Sequence, residues 1–87
     1  MKVCIYSLFD FVAQDYGPLF EAKNDAVALR IMQHMNFPEG CDPKDFYLMR
    51  LGMFDRETGK VNGEVTPRKI DFTNKEIEDE QEVGGDL

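Results

Sequence analysis

Tryptophan is absent from this 87-residue chain, histidine occurs once and cysteine twice. Each scarcity removes a class of chemistry. A structural metal site needs converging ligands, and of His34, Cys4 and Cys41 no two are closely spaced. Two cysteines 37 positions apart do not form a disulfide framework. The N-terminal apolar stretch is interrupted by Tyr6, Ser7 and Asp10 and lacks a small-residue cleavage pattern. Two free thiols in a reducing cytoplasm are therefore expected. No apolar run approaches the length of a membrane span. The glycines stand singly apart from Gly84-Gly85, so no phosphate-cradling loop is present. Nor is there a dense basic patch of the kind that marks a duplex-binding surface. An activated nucleophile beside a base is also missing: Cys4 sits in a strand pattern and Cys41 in a loop without a partner. The expectation is a protein that is not an enzyme and holds no cofactor or metal.

What remains is a single small domain. Its apolar fraction is 43%, with seven Phe and three Tyr, enough to fill a thin core. A chain of this length buries only about 60–65% of its unfolded surface, so modest stability or oligomerisation is expected. The net charge of −7 is unevenly spread. Residues 1–70 carry ten acids and nine bases, net −1; residues 71–87 carry seven acids and Lys75, net −6. The chain thus reads as a body, 1–72, and an acidic flexible tail, 73–87.

Residues 2–12 alternate as a strand with apolar groups on both faces, as in a central strand or one pairing across a dimer. Gln14 to Pro18 reads as a turn, and Leu19 to Ala22 as the returning strand. Asn24 is a helix N-cap, with Asp25 favourable in the first turn. The helix is expected to run to about Asn36, with Val27, Ala28, Ile31, Met32 and Met35 on its core stripe and Leu29 off it. Pro38 and Gly40 end it. Phe46 to Phe54 is the second strong strand, followed by a hairpin turn with Gly59 in the left-handed position. Val61 to Val65 pairs back, Thr66-Pro67 breaks the pattern, and Arg68 to Phe72 follows as an extended edge segment. Thr73 and Glu76 fit a capping box for a short helix over 74–82, against which stands the scarcity of apolar groups in that stretch. The fold expected is α+β: a small antiparallel sheet in the order β-β-α-β-β, with one helix packed on one face. The other face is left with apolar side chains, which predicts a homodimer or another partner.

A block of residues adds a resemblance. Gly17-Pro18, Phe20, Ala22-Lys23-Asn24-Asp25-Ala26 and Arg30 are followed by Gly52, Phe54, Asp55, Thr58 and Gly59. Over about residues 3 to 61 this pattern resembles the small nonstructural proteins of gokushovirus-type microviruses, which are single-stranded DNA phages. The resemblance implies a protein made in the bacterial host cytoplasm and not part of the mature shell. It also implies an accessory role in viral DNA synthesis or its switch toward packaging, through contact with a phage or host replication or packaging protein. It carries no catalytic residues.

Two candidate surfaces follow. Aromatic platforms with a positive track suit single-stranded nucleic acid, and Tyr6, Tyr47, Lys23, Arg30, Arg50, Arg56 and Lys60 supply both elements. Tyr6 and Tyr47 are placed together on the sheet face that the helix leaves open, where a dimer interface is the competing use. In the tail, Glu76, Glu78, Asp79, Glu80 and Glu82, closed by Leu87, suit a basic partner or fold back on the body as a nucleic-acid mimic. Solubility alone is the plainer role of such a run. If the mimic reading holds, deleting residues 73–87 raises affinity for DNA at low salt in a titration against a labelled oligonucleotide; an unchanged affinity rejects it.

Overall fold

The computed structural model describes residues 1–71. Five strands and one helix follow in order: β1 Lys2–Asp10, β2 Asp15–Tyr16, β3 Phe20–Ala22, α1 Asp25–Gln33, β4 Phe46–Asp55 and β5 Val61–Lys69. A short 3-10 turn, Pro43–Asp45, leads into β4. The α+β class is observed, with one more short strand than β-β-α-β-β. All pairings are antiparallel. β1 and β4 are the central pair, β5 flanks β4, and β2 and β3 share the outer edge of β1. The doubly apolar β1 is thus a central strand. The acidic tail, the capping box at Thr73 and the helix expected over 74–82 lie outside the described residues.

The first reversal comes earlier than the sequence pattern predicts. Asp10 ends β1: its carboxylate accepts the backbone N–H groups of Val12 (3.0 Å) and Ala13 (3.1 Å). Its carbonyl accepts the Gln14 N–H at 2.8 Å. Gln14 takes a left-handed backbone, φ 60°. An aspartate that hydrogen-bonds the backbone just beyond it competes with strand extension, so Phe11 and Val12 belong to the turn. Gly17-Pro18 is then not the turn but the interruption between β2 and β3. There the Gly17 N–H donates to the Leu8 carbonyl (2.9 Å), and the buried Ser7 hydroxyl donates to the Gly17 carbonyl (2.9 Å).

Asn24 caps α1 as expected, with its side chain accepting the Val27 N–H at 2.9 Å. The helix stops at Gln33 rather than near Asn36. His34 and Met35 instead donate to carbonyls three residues back, both at 3.1 Å, tightening the last turn. The buried helix residues are Ala28, Leu29 and Met32, so Leu29 lies on the core stripe after all. They pack on Cys4, Tyr6, Ala22 and Leu48, and Tyr6 and Leu48 are fully buried. Burying each such side chain contributes about 1.5–3 kcal/mol.

The second hairpin closes as the glycine predicts. Gly59 has φ 77°, and the Asp55 carboxylate accepts the Glu57 N–H at 2.9 Å. β5 continues past Thr66-Pro67, but not in register. Gly63 lies opposite Gly52, yet Arg68 lies opposite Arg50. Three extra residues therefore bulge out of β5, with Val65 fully exposed. Proline is tolerated in an edge strand at such a place because no ladder hydrogen bond is asked of its nitrogen.

Gly52 is buried where β4 and β5 come closest. A Cβ there would collide with the Asn62 carbonyl oxygen and lie 2.9 Å from Gly63 Cα. At Gly63 a Cβ would meet only the Leu51 carbonyl, at 3.9 Å. Gly52→Ala should therefore lose about 2 kcal/mol of stability by overpacking. Gly63→Ala should stay within about 0.5 kcal/mol. Urea titrations of the two variants check the contrast.

Candidate partner-binding surface

One polar chain links β1, α1, β4 and β5 and includes two of the predicted residues, Tyr6 and Arg50. The Tyr6 hydroxyl donates to the Asp25 carboxylate at 2.6 Å. Arg50 approaches the same carboxylate through its Nη1 at 3.4 Å, and its Nε donates to Glu64 at 2.9 Å. Asp25 is in the first turn of α1, and Glu64 is the first residue of the β5 bulge. Burial, and then the Asp25 hydrogen bond, push the Tyr6 phenol well above the ordinary tyrosine range. Burial works against the charged Arg50, but Asp25 and Glu64 outweigh it and hold its guanidinium above its usual value. Tyr6 also stacks on Phe20, ring centroids 5.7 Å apart.

This arrangement overturns the placement of Tyr6 on an open face. Tyr6 is 0% exposed and faces the helix. Its register partner in β4 is Arg50, whereas Tyr47 is opposite Phe9. Side chains alternate along a strand, so Tyr6 and Tyr47 point to opposite faces of the sheet. Arg50 is an internal ion-pair residue, and Arg56 is paired with Glu21. Lys23, Arg30 and Lys60 are exposed on three different segments: the approach to α1, its outer face, and the turn before β5. They form no track with Tyr47. Glu76, Glu78, Asp79, Glu80, Glu82 and Leu87 lie outside the described residues.

The face that does stay open carries a row of aromatics that the sequence reading did not assemble. Phe9 and Tyr16, paired across β1 and β2, have ring centroids 5.0 Å apart. Phe11 and Tyr47 are 6.0 Å apart. Lys69 Nζ sits 4.2 Å from the Tyr47 ring centroid, a cation–π contact. Phe11 is 54% exposed and Tyr16 45%. The available signal was the alternation of Phe9, at the end of β1, with Phe11, in the turn after it. What was hidden was that Asp10 turns the chain so that Tyr16 folds back beside Phe9.

The remaining reactive groups are isolated. Cys4 is buried, Cys41 is exposed, and both are free. The His34 ring Nδ1 lies 2.8 Å from the Arg30 carbonyl. Among the described residues no group of His, Cys, Asp and Glu converges as metal ligands would. No helix among them is long and apolar enough to cross a membrane.

Residues 3–75 match the family described as Phage ORF5 protein, and the chain belongs to that family. It is thus a phage protein, and the family suggests an accessory role. No curated protein and no solved structure gives a significant match.

The buried phenol gives a pH-dependent prediction. A folded-state pKa raised above the unfolded value stabilises the native state at lower pH. Here that contribution is full below about pH 10, where an unfolded tyrosine stays neutral, and declines as pH rises further. Tyr6→Phe should cost about 2 kcal/mol at neutral pH, because Asp25 loses a charge-assisted hydrogen bond. It should also flatten the alkaline fall in the urea midpoint. An unchanged alkaline slope in the variant would exclude Tyr6 as its source.

Proposed function

We propose that this member of the Phage ORF5 family is a non-enzymatic accessory protein that works through protein contacts, as a homodimer built on the open sheet face. The contacts serve viral DNA replication or packaging in the cytoplasm of the bacterial host, and the partner beyond the second copy is a phage or host protein of that machinery. The gokushovirus-like block at Gly17 to Arg30 supports an origin in that group of microviruses. The observation that carries the reading is the aromatic set Tyr16, Phe9, Phe11 and Tyr47, packed in pairs, with Phe11 and Tyr16 exposed. A surface of mutually packed rings, some of them exposed, is characteristic of protein interfaces.

A second reading rests on Lys69 over Tyr47. Aromatic faces with a cation nearby also suit single-stranded DNA, whose bases stack on them. The charge distribution favours protein. Arg50 and Arg56 are committed to carboxylates, and the described residues 1–71 carry eleven acids against nine bases.

Sedimentation equilibrium of the purified protein, with and without labelled single-stranded DNA, separates the two. The dimer reading expects self-association that ignores DNA and weakens about tenfold in Phe11→Ala or Tyr47→Ala, the cost of removing an interface aromatic. The DNA reading expects co-sedimentation that falls steeply with salt, lowered by Tyr47→Ala without a change in oligomeric state. A monomer indifferent to DNA rejects both.

A further inference from the structure

An open groove of about 490 Å³ runs beside the C-terminal end of α1. Leu29, Met32, Phe37 and Phe46 supply apolar walls, and Lys44 also lines it, together with Tyr47 and Lys69, which the groove shares with the aromatic face. The volume is that of a site for several side chains. The chain itself arrives there. The Ile70 N–H donates to the Leu48 carbonyl at 2.9 Å, holding this segment on the sheet, and the next residue, Asp71, is part of the groove lining.

Sixteen residues follow Asp71, with Phe72 and Ile77 early among them. Residues 72–87 carry six acids and one lysine, net −5, four of the acids being Glu76, Glu78, Asp79 and Glu80. We propose that the groove is the docking site of this chain's own segment 72–87. Phe72 and Ile77 enter the apolar part, and the acidic run lies against Lys44 and Lys69. Two observations select this occupant over any other: the segment departs from the groove wall, and its charge is opposite to that of the groove's lysines. Ile77 lies at most about 20 Å of extended chain beyond Asp71, so both anchors reach the groove. Tethering supplies a local concentration on the order of millimolar, so weak contacts suffice. The proposal goes beyond the partner reading and does not depend on it. Its consequence is that a partner engaging Lys69 competes with the segment.

The test uses the full chain with a nitroxide attached to Cys41, which is exposed while Cys4 is buried. Cys41 lies in the loop between Phe37 and Pro43, both groove residues. Amide NMR intensities are read for residues 72–87. The docked segment loses most of its intensity from Phe72 to Glu80. Raising the salt concentration restores the acidic part, because screening weakens its contact with the lysines, and Lys44→Glu with Lys69→Glu does the same. The salt series on the unaltered chain stands whether or not the double variant folds. Full intensity throughout the segment at low salt overturns the proposal. So does equal broadening in a mixture of spin-labelled and isotope-labelled chains, which would place the segment on a second copy.

Discussion

The carboxylate of Asp25 is the point on which the packing turns. It sits in the first turn of the helix, where the helix dipole favours negative charge, and it receives both the Tyr6 hydroxyl and the Arg50 guanidinium. Arg50 continues the chain to Glu64. Four elements, β1, α1, β4 and β5, are thereby joined through one partly buried network. No buried side-chain polar atom among the described residues is left without a partner. A network in that state specifies an arrangement strongly, because removing any member strands a charge or a donor in a low-dielectric setting. The ion pairs need not add much net stability to fulfil that role. They tie the helix to the Tyr6–Arg50 side of the sheet, where its apolar residues also pack.

The open face follows from that choice. With the helix drawn to the Tyr6–Arg50 side, the opposite side keeps Phe9, Phe11, Tyr16 and Tyr47 against one another. The sheet edges are less inviting. β5 bulges and carries Pro67, and the other edge is split between β2 and β3 around Gly17-Pro18. Interrupted edges discourage strand-to-strand association.

Much of the fold was legible locally. The Asn24 cap, the Gly59 turn and the two long strands each rest on a few neighbouring residues, and each is observed. The errors share one cause. The extent of β1 depended on Asp10 turning its own carboxylate onto the following backbone, and the helix end depended on competition within its last turn. The surface prediction failed on register. Alternation divides each strand into two sets of side chains but does not say which set of β1 shares a face with which set of β4. A shift of one residue exchanges the faces. Tyr6 was assigned with Tyr47 on that basis, and it lies with Arg50 instead.

By itself the sequence determined the elements, their antiparallel return and the contrast between a nearly neutral body and an acidic end, because propensity, capping and charge are properties of adjacent residues. Only the tertiary structure decided which arginines are neutralised, which tyrosine is buried, and which aromatics meet on the open face. Those outcomes depend on pairing across β1 and β4, whose residues are some forty positions apart along the chain. The register there is a collective result of packing, hydrogen bonding and the Asp25 network together.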